Sequence, residues 1–246
     1  MKNSFPKSKT LQRAMSNFKP LILIVLIMGC VQPSANSDKT TSADTTKTEN
    51  TQTDSSIVSQ TTTIPDSAFV NIKSLSSEFA FDMRYATSNN FLKAVVYDCD
   101  NCLMRHEVAK ALLSANDSLI KMGYRVVFFD CFRPKEVQKQ MWEIFPDSRY
   151  VANPYKNGSV HNKGAALDIS LQKIDGSPVD MGTSFDHFGE EAHHAYRNLP
   201  DSVLQNRKIL KTVMEAFGFH SIKTEWWHYN YGAQSKYTIS DQALCP

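Results

Sequence analysis

Positions 31–64 hold sixteen serines and threonines among thirty-four residues, and not one aromatic side chain. A stretch of this kind cannot bury enough apolar surface to offset the entropy lost on ordering. It reads as a flexible linker and confines the folding part of the 246-residue chain to a single domain over 65–246. No internal repeat is present. A formal net charge of only +2 leaves no electrostatic footprint for nucleic acid and no charge-driven grip on a membrane.

Before the linker comes a basic segment with Lys2, Lys7, Lys9, Arg13 and Lys19 and no acid, followed by the wholly apolar run at 21–28. That run is far shorter than the ~20 residues a spanning helix needs, so 1–29 reads as an export signal. Gly29 and Cys30 close it. The Ile-Met-Gly-Cys run resembles a bacterial lipoprotein signal. The resemblance implies cleavage before Cys30, lipidation of that cysteine, and a membrane-anchored domain held on the tether 30–64. Plain secretion and an uncleaved anchor are the alternatives, and each of them exports the chain to the periplasmic face or cell surface.

Periodicity supplies a coarse fold. Residues 68–86 mix alternating and apolar pieces and are expected to be extended. At 105–122, Val108, Ala111, Leu112, Ala115 and Leu119 recur at helical spacing, and Gly123 ends that helix. Residues 125–131 read as a buried strand. Pro134 can open a second helix as its first residue. The run 165–171 alternates as a strand, with Leu167, Ile169 and Leu171 on one face and Ala166, Asp168 and Ser170 on the other. Helical spacing returns at 202–217 before Gly218, and 226–231 is an aromatic strand. Strands and helices interleave without a repeating βαβ rhythm, which predicts an α+β domain.

Two clusters carry chemistry. In the first, His161 precedes the strand whose less apolar face bears Asp168. An acid in so apolar a strand needs a partner, either a metal ion or a basic side chain. The second is Glu225-Trp226-Trp227-His228. Alone, a histidine between tryptophans is an ordinary core residue. Taken together, His161, Asp168 and His228 supply the three protein ligands of a hydrolytic zinc site, with one position left open, and Glu225 supplies an acid–base group. Residues three apart on a strand face opposite ways, so Glu225 is expected in the loop before the strand or at a bulge.

The spacing S-x-H-x-x-G-x-A-x-D, followed by E-x-W-H, resembles the D-alanyl-D-alanine dipeptidases, relatives of the vancomycin-resistance dipeptidase. The stretch 82–97, the run Asp130-Cys131-Phe132-Arg133-Pro134 and the segment 180–186 are similar to that family as well. Phe132 stands where the family has tyrosine. The resemblance spans about 70–235 and implies a compact domain with an antiparallel sheet carrying one Zn2+ ion on His161, Asp168 and His228. It further implies that Glu225 is the catalytic base and that Arg133 stabilises the developing oxyanion. Ser159 would lie near the substrate carboxylate, and Asp186 would hold the substrate ammonium. The implied substrate is a small dipeptide, with no obligatory protein partner. A zinc DD- or LD-carboxypeptidase trimming peptidoglycan stem peptides is the nearest alternative. A zinc lipoprotein that only binds wall fragments would lack a catalytic group, yet Glu225 and Arg133 are both present.

The remaining features weigh less. His187, His193 and His194 with Glu190 and Glu191 could hold a second metal, but a polar loop edging the site is the simpler reading. His106 and His220 are expected in helical surroundings without a function. In an oxidising compartment the cysteines after Cys30 favour disulfides over structural zinc. Cys99 or Cys102 is expected in one bridge, with Cys131 a candidate partner.

Overall fold

Residues 63–245 are described by the computed structural model of the chain; the signal-like segment, Cys30 and the linker up to residue 62 lie outside them. In chain order the elements are β1 (Phe69–Asn71), β2 (Ala80–Phe81), β3 (Leu103–Arg105), α1 (His106–Lys121), β4 (Tyr124–Asp130), α2 (Lys135–Ile144), β5 (Ala166–Lys173), α3 (Asp201–Ala216), β6 (Phe219–Ser221) and β7 (His228–Tyr231). The main sheet runs β2-β4-β5-β7-β6, and β1 with β3 forms a separate ribbon. Every pairing is antiparallel except β2 with β4. This is the expected α+β class.

The helices form where the apolar spacing put them. α1 buries Val108, Leu112, Ala115 and Leu119, and its Asn116 accepts the backbone N–H of Val126 at 2.8 Å. That bond ties α1 to β4 through a satisfied buried amide. α3 buries Val203, Leu210 and Met214. Gly123 and Gly218 follow α1 and α3 with φ of 86° and 84°, left-handed values that suit glycine at a helix end.

Local structure departs from the sequence reading in four places. The stretch 68–86 is not continuously extended: 3-10 turns occupy Ile72–Ser74 and Arg84–Ala86. In the first, the Asn71 side chain accepts the N–H of Lys73 at 3.2 Å, a local bond that competes with a strand ladder. Pro134 stands at the N-cap of α2 rather than inside it, with ψ of 147°, and its carbonyl accepts the N–H of Gln138 at 3.1 Å. The strand expected over 226–231 begins only at His228, while β5, the central strand, is buried on both faces from Ala166 to Leu171 as its apolar run suggests. Lastly, β6 follows Gly218 directly, which puts His220 on a strand rather than a helix; three residues are too few to show a period.

Two disulfides brace the domain. Cys102–Cys131 joins β3 to the end of β4, and Cys99–Cys245 ties the loop before β3 to the end of the chain.

Candidate active site

The site is built on one row across the sheet. A register shift in β4 between Phe128 and Asp130 leaves Asp130 opposite Asp168, and Asp168 lies opposite His228 on β7. Directly paired residues share a face, so three polar side chains stand side by side on three strands. Trp226 and Trp227 are buried before β7 begins. Glu225 therefore sits in the loop ahead of the strand, where it approaches His228 at 4.0 Å.

His161 arrives from a 3-10 turn at Val160–Lys163. The turn is fixed at both ends. Ser159 Oγ accepts the N–H of His161 at 3.3 Å, and Asn162 Oδ1 accepts that of Ser159 at 2.7 Å. Gly164 closes the turn at φ 71°, and a Cβ there would lie 2.4 Å from the Phe69 ring.

The donor set is pre-formed. His161 Nε2 lies 3.3 Å from His228 Nδ1 and 3.4 Å from Asp168 Oδ1, and His228 Nδ1 lies 2.9 Å from that same oxygen. His161 Nδ1 is 2.7 Å from the Cys131 carbonyl, which can only accept, so the proton sits on Nδ1 and the lone pair on Nε2 faces the cluster. His228 Nε2 donates to Asn230 Oδ1 at 3.0 Å, which sets its Nδ1 facing inward too. Two ring nitrogens and a carboxylate oxygen this close together need a proton or a metal cation between them. Tetrahedral ligands about 2.0–2.1 Å from a common centre are about 3.3 Å apart, close to the three separations observed. These residues fit a zinc-sized ion, and the outer partners Cys131 and Asn230 orient the rings as metal sites require. Among the described residues this is the one such His-Asp-His group.

Electrostatics point the same way. Burial pushes the Asp168 carboxyl up, yet His161 and His228 together hold it far below the usual carboxylate range. Burial opposes a charge on His228, but Asp168 and then Glu225 pull its pKa up to about 9, so a metal cation bound there would take the place of the Nδ1 proton facing Asp168. Burial raises Glu225, with His228 opposing and Asp168 adding to the effect. Asp186 is pushed well above its ordinary value by burial and by Asp168. The carboxyls of Asp168, Asp186 and Glu225 crowd one pocket, and a bound cation would favour the ionised form of each.

Arg133 is the fixed cation of the cleft. It is 7% exposed. Its Nε and Nη2 donate to Asp130 Oδ2 at 3.1 and 2.6 Å, and Nη1 donates to Gln138 Oε1 at 2.9 Å. A guanidinium has five N–H groups, so two remain for a ligand. Asp130 is itself fully buried and accepts from the Tyr97 hydroxyl at 2.6 Å and the Cys131 N–H at 2.9 Å. Asp186, in the same cleft, has a positive φ of 60°, a conformation that costs a non-glycine residue energy and concentrates at functional sites. The Tyr85 hydroxyl holds its carboxylate at 3.2 and 3.3 Å.

All seven residues expected in the site (Arg133, Ser159, His161, Asp168, Asp186, Glu225 and His228) line one cavity of about 290 Å3, small among ligand pockets. Phe91, Tyr150 and Phe188 form its rim, with Tyr150 and Phe188 stacked at 4.1 Å. The loop at 187–194 edges the cleft through Phe188, while His187 is paired with Glu191 at 3.0 Å and no second metal group appears among the described residues. Sequence reasoning assigned no role to Asp130, Tyr85, Gln138 or Asn230. The first two lie inside motif stretches already quoted and could have been found there; Gln138 and Asn230 carry no local signal.

The family model described as D-ala-D-ala dipeptidase, Peptidase M15, matches residues 66–245. The chain is similar to the D-alanyl-D-alanine dipeptidase of Escherichia coli (strain K12), 29% identical over 177 residues that cover 72% of this chain and 91% of the relative. It is similar also to that of Enterococcus faecium, 31% identical over 169 residues covering 61% and 84%, and to that of Streptomyces coelicolor, 30% identical over 184 residues covering 67% and 90%.

Proposed function

This chain belongs to the Peptidase M15 family of D-Ala-D-Ala dipeptidases, and we propose that it hydrolyses free D-alanyl-D-alanine to D-alanine using one zinc ion held by His161, Asp168 and His228. The observation that carries this reading is the set of three inward-facing donors, 2.9–3.4 Å apart, with Glu225 at 4.0 Å. When bound there, zinc supplies a Lewis acid and brings the pKa of water down to about 7.

The chain's own groups do the rest. Glu225 takes a proton from the attacking water as its oxygen bonds to the carbonyl carbon, then passes that proton to the amine nitrogen as the C–N bond breaks. Negative charge grows on the carbonyl oxygen, and the two unused N–H groups of Arg133 answer it. A pre-placed donor of this kind is worth about 2.7–4 kcal/mol. Asp186 with Tyr85 holds the ammonium end. The Ser159 hydroxyl accepts from the His161 N–H and has its proton to donate to the carboxylate end. Clamping both termini of a zwitterion in a small cavity favours a dipeptide over longer chains.

Location is part of the same proposal. The basic segment, the short apolar run and Cys30 support export and lipid anchoring, and the disulfides Cys102–Cys131 and Cys99–Cys245 suit an oxidising compartment facing the cell wall. No helix among the described residues is long and apolar enough to cross a membrane. Cys30→Ala should release the protein from membranes and abolish incorporation of labelled fatty acid.

The test of the reaction is release of D-alanine from D-Ala-D-Ala by the purified protein with zinc, with a chelator, and with Glu225→Ala. Activity requiring both zinc and Glu225 is expected, with a fall of about 10²–10⁴-fold in the variant. A folded, zinc-loaded protein that ignores the dipeptide but trims a stem pentapeptide would instead be a carboxypeptidase.

A further inference from the structure

A cavity of about 580 Å3 lies along α3 and shares no lining residue with the catalytic cleft. Its wall carries Arg197, Arg207, Lys208 and Lys211 with His194, against a single acid, Asp201. The chain as a whole is nearly neutral, so four cations around one hollow are a local concentration. Among the described residues only Lys211 of the four has an ion-pair partner, Glu215 at 3.7 Å. Cations gathered with so few counter-charges repel one another, and an anion between them would relieve that repulsion.

Unpartnered buried atoms are a second and independent sign. Four buried side-chain nitrogen or oxygen atoms lack a hydrogen-bond partner among the described residues, and two of them, His194 Nε2 and Arg207 Nη2, belong to this wall. A third is the hydroxyl of Tyr229, whose ring lies 6.5 Å from that of His194. Buried polar groups are normally satisfied, so the two unpaired nitrogens in this wall are hydrogen-bonding capacity left over behind the cavity surface. Arg207 is 5% exposed. Its Nε donates to the Met181 carbonyl at 2.7 Å and its Nη1 to that of His193 at 3.4 Å, which fixes the guanidinium in the wall.

The hollow and the cleft each border a third cavity. An adjoining cavity shares His194, Arg197 and Lys211 with it and shares Ile222 and Thr224 with the catalytic site. The His194 N–H donates to the Lys223 carbonyl at 3.0 Å and pins the connecting wall.

We propose that this cavity is a second, non-catalytic binding site for an oxyanion, phosphate or carboxylate, held by Arg197, Arg207, Lys208 and Lys211. Charge-assisted bonds to such groups are strong, and the same wall accepts a free anion or a carboxylate borne on a peptide chain.

The experiment titrates the full chain calorimetrically with inorganic phosphate and, separately, with hexaglutamate at low salt. It is repeated on an Arg197→Gln, Lys208→Gln double variant, whose substituted side chains are exposed and leave the core intact. Saturable binding of at least one probe is expected, weakened about tenfold or more in the double variant and weakened again by added salt. Hydrolysis of D-Ala-D-Ala should stay within about twofold of the parent in the variant. Tighter binding of phosphate assigns the site to free anions, and tighter binding of hexaglutamate assigns it to chain-borne carboxylates; either sustains the proposal. No saturable binding of either probe up to about 10 mM, or equal binding by the double variant, overturns it. Loss of hydrolysis in that variant overturns its non-catalytic character. The binding arms are read without reference to hydrolysis, so they stand or fall apart from the dipeptidase reading.

Discussion

Arg133 shows how much of this site depends on a single side chain being held by others. Its fork rests on Asp130, its third N–H on Gln138, and Gln138 is in turn anchored by donating to the Ala152 carbonyl at 2.8 Å. Lysine carries the charge but not the planar fork. Arg133→Lys should therefore lower kcat about 10²–10³-fold with little change in zinc content, measured by metal analysis beside steady-state kinetics. Retention of parental kcat would remove Arg133 from the oxyanion role. His194 permits a prediction about pH. Burial, with Lys211, Arg207 and Arg197 nearby, pushes its pKa down to about 4, whereas an unfolded histidine titrates near 6.5. The folded state thus binds fewer protons than the unfolded state between those values. The associated stability is intact above pH ~6.5 and is lost as pH falls toward ~4. His194→Gln should flatten the slope of unfolding free energy against pH in that window, as followed by urea denaturation; an unchanged slope would show that His194 titrates normally.

The elements explain why part of the site could be read from sequence and part could not. His161, Asp168, Glu225 and His228 sit within two short runs whose spacing is itself the signal, and the structure brings all four to one cleft. The need for a loop at Glu225 followed from strand geometry alone, and β7 does begin only at His228. Asp130 was different. Its role depends on the irregular register of β4 against β5, a property of two strands that neither announces singly. β2 and β6 were too short to declare a period, and the parallel pairing of Ala80 with Val127 joins residues far apart in the chain. The turn that delivers His161 gives this scale its prediction. Gly164 takes a left-handed φ of 71° with Phe69 where a Cβ would go. Gly164→Ala should cost roughly 1–3 kcal/mol of stability from backbone strain, with the clash adding to it, and should weaken zinc binding by displacing His161. Thermal unfolding with and without added zinc measures both; an unaltered midpoint and zinc response would mean the turn relaxes freely.

At the scale of the whole molecule, the cleft is assembled from segments spread between Tyr85 and His228, so its geometry is only as firm as the closure of the domain. That closure has a covalent component. Cys99 and Cys245 are 146 residues apart in sequence, so their bridge encloses His161, Asp168, His228, Arg133 and Glu225 in one loop. Asn101 adds a bond to the Leu244 carbonyl at 3.0 Å beside the bridge. A cross-link over so long a loop chiefly restricts the unfolded chain, by about 5 kcal/mol in the chain-entropy model, although measured losses run about 2–5 kcal/mol. The pairing was beyond sequence reasoning because nothing local links a cysteine near the first strands to one at the chain's end. Cys102–Cys131 closes a loop of only 29 residues, but it braces the Cys131 carbonyl that orients His161. The two bridges should therefore fail differently. Cys99→Ser with Cys245→Ser should lower Tm by roughly 5–15 °C while leaving kcat at low temperature near the parental value. Cys102→Ser with Cys131→Ser should lower zinc affinity as well as Tm. Calorimetric scans paired with zinc titration separate the two, and equal zinc affinity in both variants would show that the shorter bridge serves stability alone.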